Sequence, residues 1–344
     1  MQHEITEPGP LLDERGRLRR RGFSKRFLLH YNPERLRLTP LRALDRLRLK
    51  EWDYYATTTP DYFFSATVAH VGYIGLVFVY FIDFADNRQA EKMIVTPLGA
   101  GCSLPRSSEA GDIDFTWGRT KVMFLRAPEQ RVLRIVWPRF DGRADLNAEL
   151  IARQPDDMES IVMCTPMGEQ NFYYNHKVNC MPTTGRIKLG DRVLQLSEDR
   201  ALTSLDWGRG VWPYQTFWNW GSASGFLPDG RRIGLNLGEG FGDLTAATEN
   251  CFYLDGKMHK LENVPFVYND GDFMKPWKLV SDDERLTLTF TPFLERVSKV
   301  NLAAIAMEGH QMFGRYRGVL IADDGERIAL DELIGWAEEH RARW

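Results

Sequence analysis

The 344-residue sequence is poor in the features that announce the commonest chemistries. It has four cysteines, Cys102, Cys164, Cys180 and Cys251, all far apart. No two form a Cys-x-x-Cys step and no zinc spacing occurs, so buried free thiols are expected in place of a disulfide framework or a zinc module. Neither Gly-x-Ser-x-Gly nor His-Glu-x-x-His is present, which removes the hydrolase elbow and the zincin helix. No metal site is expected, because His176 and Cys180 alone are too few ligands. The run Gly234-Leu235-Asn236-Leu237-Gly238-Glu239-Gly240-Phe241-Gly242 has dinucleotide-like glycine spacing. It lacks the strand-to-helix context and the distal ribose-binding acid, so no cofactor is expected. The net charge of −3 provides no global field toward nucleic acid or anionic lipid. The opening residues, MQHEITEPGPLLDERGR, contain no apolar signal region, and a cytoplasmic protein is the expectation. A homodimer is compatible with this composition. The longest apolar run, Val71 to Ile82, falls short of the roughly 20 residues a spanning helix needs. Its β-branched and aromatic content reads as a doubly buried strand, so no membrane span is expected.

What is present is β structure. Aromatic residues make up 12% of the chain, and short alternating runs recur between turn residues. Trp52 to Thr57, Tyr62 to Val68, Ile74 to Phe84, Lys121 to Leu125 and Arg131 to Trp137 read as strands. So do Ile161 to Cys164, Phe172 to Asn175, Gly185 to Leu196 with a hairpin at Leu189-Gly190-Asp191-Arg192, Asn250 to Leu254, Leu286 to Phe290 and Gln311 to Ile321. This spacing means an all-β sandwich or barrel. Residues 1–50 read as a basic arm whose leucines, Leu36, Leu38, Leu41, Leu44, Leu47 and Leu49, dock on the body. The arginine-rich run from Arg15 onward suits either a phosphate-bearing partner or a solvated face. A polar stretch at 138–160 divides a first β domain, 51–160, from a second, 161–344. At the end, Leu330, Leu333, Ile334 and Ala337 share one face at helical spacing, which predicts a short C-terminal helix.

The most informative region is 206–242. Four of the ten tryptophans, Trp207, Trp212, Trp218 and Trp220, fall within it. Trp207 and Trp212 read as flanking a turn, and Trp218 and Trp220 alternate onto one strand face. Such indoles line a pocket for a greasy or ring-shaped ligand, or they fill a β core. Asp206 and Glu239 are the candidate acids, since a carboxyl among tryptophans is desolvated and held protonated. Asp206 is equally suited to a structural ion pair with Arg209, and Arg209 to gripping an anionic ligand group. Asn219 and Asn236 can orient a polar head, with Tyr214 beside them. Tyr173-Tyr174-Asn175-His176-Lys177 is a second candidate string: Tyr174 and Asn175 for binding, His176 as a proton carrier.

These motifs, with Gln311-Met312-Phe313-Gly314-Arg315-Tyr316-Arg317-Gly318 and the opening Gly9-Pro10-Leu11-Leu12, resemble the bacterial family called domain of unknown function 2804 over nearly the whole length. More distantly, the acid beside Trp207-Gly208 is similar to the signature of the carotenoid 1,2-hydratase/AttH-like group, which contains hydroxyneurosporene synthase. That resemblance implies two packed lipocalin-like antiparallel barrels with a ligand cavity, and members that hydrate isoprenoid double bonds. Here Asp206 runs directly into Trp207, without the acid-His pair of that group. Three functions follow as expectations. The first is an enzyme performing acid-assisted hydration, isomerisation or cyclisation of a small lipophilic ligand. The second is a non-catalytic lipid- or isoprenoid-binding protein. The third is a glycoside hydrolase using Asp206 and Glu239 as paired carboxylates across a cleft.

Overall fold

A computed structural model describes residues 2–302 and 305–343. Two antiparallel sheets, curled into half-barrels, hold nearly all of its strands. Among the described residues the first sheet has thirteen strands, with Arg88–Pro97, Ile74–Asp83, Tyr62–His70, Leu49–Thr58, Leu202–Val211 and Phe172–Leu189 side by side in that order. The second has nine, with Arg232–Glu239, Gln215–Phe226, Arg327–Arg343, Ile305–Ile321 and Leu286–Leu302 at its centre. The chain changes sheet between Val211 and Gln215, and residues 161–211 hydrogen-bond within the first sheet.

The segment expected to be a C-terminal helix is the strand Arg327–Arg343. The helical spacing of Leu330 and Leu333 arises from a bulge. Gly318 pairs with Leu330 and Tyr316 with Leu333, so one extra residue is accommodated there, and Glu332 adopts a left-handed φ of 66°. A bulge resets strand parity, which turns both leucines into the same core. Trp207, expected beside a turn, lies in the middle of Leu202–Val211.

Among the described residues three large apolar cores follow from this layout, beside a small cluster of Ala69, Val71 and Leu76. One fills the first sheet under the N-terminal arm, and a second fills the other half-barrel. The third lies at the seam and is mostly aromatic: Tyr54, Phe63, Tyr80 and Tyr173 from the first sheet meet Trp220, Phe313 and Trp336 from the second. Edge-to-face contacts of Phe63 with Phe313 (4.8 Å between centroids) and Trp336 (5.4 Å) close one end. The arm docks through Leu36, Leu38 and Leu49, whereas Leu41, Leu44 and Leu47, expected to dock with them, lie on a 3₁₀ turn that faces solvent. Gly22–Ser24 pairs with Ile161–Pro166, and Phe27 and Tyr31 set their rings edge-on against Trp207.

Arg209 locks the arm side of the first sheet. It is fully buried. Its guanidinium donates to Asp53 Oδ1 (2.8 Å) and to the carbonyls of Trp52 (2.7 Å), Gly208 (2.9 Å) and Pro105 (2.9 Å). It also stacks on the Trp207 ring at 4.2 Å. Removing one member of a buried ion pair strands the other. Arg209→Met is therefore expected to cost about 3–5 kcal/mol in urea denaturation. A loss below about 1 kcal/mol would show that Asp53 has another partner.

Candidate active site at the sheet seam

The register of each sheet sets one row of side chains toward the seam. In the first sheet Lys177 pairs with Asp206, Asp206 with Tyr54, Tyr54 with Thr67, Thr67 with Phe78 and Phe78 with Met93. In the second, Trp220 pairs with Glu338, Glu338 with Gln311 and Gln311 with Arg296. Directly opposed residues share a face, so the two rows confront one another. They line a cavity of about 200 Å³, with Trp52, Tyr80, Tyr173, Trp212, Trp218, Phe241 and His340 among its walls. Two glycines make this possible. A Cβ on Gly208 would stand 2.2 Å from the Trp52 indole, and one on Gly309 would stand 2.2 Å from the His340 ring.

The polar groups of the cavity fall into three sets, around Lys177, around Tyr80 and around Glu338. Lys177 Nζ lies 3.5 Å from Asp206 Oδ2, 3.5 Å from Glu249 Oε1 and 3.8 Å over the Trp220 ring. Tyr173 donates weakly to Asp206 Oδ1 at 3.5 Å. The Tyr54 and Tyr80 hydroxyls are 2.8 Å apart, and Tyr80 donates to Gln311 Oε1 at 2.9 Å. Burial raises all three phenols and keeps them protonated. Arg296, stacked 4.1 Å over Tyr80, is gripped at both ends by Glu91 at 2.7 and 3.0 Å. Glu338 accepts from Trp218 Nε1 at 3.4 Å and lies 3.8 Å from His340 Nε2. Burial raises Glu338 to about 7, against the opposing pull of Lys177. Burial also raises Glu249, which accepts from Asn175 Nδ2 at 2.8 Å. Burial lowers His340 to about 3, so its ring is neutral, stacked flat on Trp218 with centroids 4.8 Å apart.

The sequence candidates divide sharply. Asp206, Trp212, Trp218 and Trp220 line the cavity. Asn236 supports it by accepting from Trp220 Nε1 at 2.9 Å and donating to the Glu249 carbonyl at 3.0 Å. Asn175 supports it through Glu249, and its Oδ1 accepts from the Met163 N–H at 3.1 Å. The others sit elsewhere. Trp207 and Arg209 face the arm, one residue out of phase with Asp206, so the Asp206–Arg209 pair is replaced by Asp53–Arg209. Tyr174 donates to the Leu29 carbonyl at 2.7 Å under the arm. His176 is buried between Ser108 Oγ (2.6 Å) and Ser160 Oγ (2.8 Å), and burial pushes it well below the usual imidazole range. Asn219 donates to the Glu338 carbonyl at 3.0 Å from behind the wall. Tyr214 is half exposed. Glu239 accepts the Phe266 N–H at 2.9 Å and is absent from the cavity lining, so the carboxylate pair it was to form with Asp206 does not exist. Glu338 and His340 were hidden by the helix expectation; as a strand, Glu338-x-His340 reads at once as two polar groups on one face.

Two curled antiparallel sheets closing on an aromatic cavity with buried acids define the class of this protein. The chain belongs to the family described as domain of unknown function (DUF2804), whose model matches residues 2–344. A solved structure of CghA with Sch210972 shares the fold, with a TM-score of 0.56 and 10% identity, covering 86% of this chain and 89% of that one. A putative AttH from Nitrosomonas europaea is 13% identical, with a TM-score of 0.47 and coverage of 85% and 92%. Kievitone hydratase from Nectria haematococca is 12% identical, with a TM-score of 0.49 and coverage of 86% and 88%. No curated protein matches the sequence. Among the described residues no helix is long and apolar enough to cross a membrane.

The state of Glu338 has a thermodynamic consequence. Its folded value of about 7 stands above its ordinary 4.5, so the native state holds a proton that the unfolded chain releases. The stability from this group is full below about 4.5 and is lost as pH rises through about 7, on the order of 3 kcal/mol in all. Glu338→Gln keeps a neutral side chain of the same shape. Its melting temperature relative to wild type is expected to climb between about pH 5 and about pH 8; a constant difference would mean that Glu338 ionises freely.

Proposed function

We propose that the protein is an enzyme that protonates a small, unsaturated lipophilic molecule in the seam cavity, and so hydrates, isomerises or cyclises it. The observation that carries this reading is Glu338, a carboxyl kept protonated near neutrality within walls of tryptophan and tyrosine. General acids of this kind work best when their pKa lies near the working pH. Glu338 delivers its proton to an alkene carbon. The positive charge that develops is stabilised by the faces of Trp212, Trp218 and Trp220. The charge is discharged when water adds or a neighbouring C–H proton leaves, either at once or after an internal double bond has attacked and moved the cation to a new carbon. In each case Asp206, held between Lys177 and Tyr173, takes up the surplus proton. Lys177 offsets the charge left on Glu338.

A cavity of about 200 Å³ lies below the usual range for drug-sized ligands. It takes a compact molecule or the end of a longer one. That CghA, a protein of this fold, has been solved with Sch210972 supports a small-molecule ligand for this chain. The glycoside reading loses its carboxylate pair with the displacement of Glu239. The carrier reading uses the same cavity without chemistry, and isotope uptake separates the two.

The ligand is identified by mass spectrometry of the organic extract of freshly purified protein and then returned to the enzyme in D₂O. Wild type is expected to place deuterium on carbon. Glu338→Gln is expected to retain ligand affinity and lose about 10²- to 10⁴-fold in that rate, and the wild-type rate should fall as pH rises through about 7. A ligand that binds and leaves without deuterium makes the protein a carrier.

A further inference from the structure

The 3₁₀ helix Arg42–Arg48 has its polarity reversed. A 3₁₀ helix turns once in three residues, so side chains three apart eclipse. Leu41, at its N-cap, forms one apolar stripe with Leu44 and Leu47, and that stripe faces solvent at 67%, 46% and 38% exposure. The one acid, Asp45, is buried instead, accepting from Thr39 N (2.9 Å) and Thr39 Oγ1 (2.8 Å). Arg42, Arg46 and Arg48 are exposed around the stripe. The arm's ion pairs to Glu169, Asp243 and Glu14 use Arg17, Arg21 and Arg35.

This stripe adjoins the mouth of the seam cavity. A Cβ on Gly72 would stand 2.1 Å from the Leu47 carbonyl oxygen. Lys50 Nζ donates to the Val71 carbonyl at 2.7 Å and lies 4.4 Å over the Tyr73 ring. Leu98, 69% exposed, donates its N–H to the Tyr73 carbonyl at 2.8 Å. Val71, Tyr73 and the exposed edge-strand residue Met93 line the cavity. The solvent-facing leucines and the cavity wall thus meet at one turn.

We propose that this face docks on an anionic lipid surface. Leu41, Leu44, Leu47 and Leu98 enter the boundary between headgroups and acyl chains, while Arg42, Arg46 and Arg48 engage lipid phosphates. An apolar row flanked by basic residues suits that boundary, where the lower half is hydrocarbon and the upper half carries negative charge. A nucleic acid would match the arginines and leave the leucines wet. The arrangement lets a lipophilic ligand pass between bilayer and cavity without crossing water, a purpose that rests on the proposed function; the docking itself is measured without any ligand.

The experiment is flotation of the full chain with vesicles of phosphatidylcholine alone and of phosphatidylcholine with phosphatidylglycerol, at low and high salt. Wild type is expected to float with the anionic vesicles only, and less at high salt. Arg42→Gln/Arg46→Gln/Arg48→Gln is expected to weaken binding on the order of a hundredfold, and Leu44→Ser/Leu47→Ser to weaken it as well. All five sites are exposed, so both variants are expected to melt as wild type does. The proposal is overturned by an absence of flotation with either vesicle, by flotation that both variants retain, or by binding to a short DNA duplex in preference to vesicles. Flotation with no deuterium uptake sustains docking and removes the enzyme; uptake without flotation does the reverse.

Discussion

The buried ammonium of Lys177 is the interaction on which the seam depends. It rises from the first sheet and lies 3.8 Å over the face of Trp220 in the second, within ion-pair reach of Asp206 and Glu249. A lone charge at that depth would be costly. Two carboxyls and an indole face compensate it, and they come from different sheets and from the loop after Arg232–Glu239. The same contact therefore registers the half-barrels against each other and gathers acids inside an apolar wall.

Strand parity then decides which chemistry reaches the cavity. Along Phe172–Leu189, Tyr173, Asn175 and Lys177 stand on the seam side, while Tyr174 and His176 point beneath the arm. Along Leu202–Val211, Asp206 faces the seam while Trp207 and Arg209 do not. One face of each strand builds the site and the other builds the arm's core. The polar groups on the hidden face, Arg209 with Asp53 and His176 with two serines, are hydrogen-bonded internally, except Arg209 Nε, which lies 3.9 Å from Glu51 Oε1.

Much of this was legible in the sequence, and the failures have two causes. Trp218 and Trp220 were read correctly because a spacing of two on any strand fixes a shared face, whatever the strand pairs with. Asp206 and Trp207, as adjacent residues, cannot share a wall of one cavity once the strand runs through both; only an assumed turn between Trp207 and Trp212 allowed it. Glu338 and His340 were lost for a different reason. The bulge at Glu332 shifts the apolar residues into a spacing of three, and local patterning cannot tell that from a helical turn. Bulges are set by the partner strand, here Ile305–Ile321, which is not visible in the segment itself.

The partners available to each acid also explain which one keeps its proton. Arg296 is already matched by Glu91 through two short bonds. Lys177 is left as the main offset to Asp206, Glu249 and Glu338, with Arg296 pulling more weakly on Glu338, and three carboxylates around one unmatched ammonium in a low-dielectric seam cannot all be charged. Asp206 has Lys177 at 3.5 Å and a phenol; Glu249 has Lys177 at 3.5 Å and the Asn175 amide. Glu338 has an indole N–H at 3.4 Å and a neutral imidazole at 3.8 Å. It is the acid for which ionisation is least compensated, so the proton resides there. Its placement opposite Asp206 follows from the register of the two sheets, and the site thereby holds a proton donor facing an acceptor across an aromatic gap.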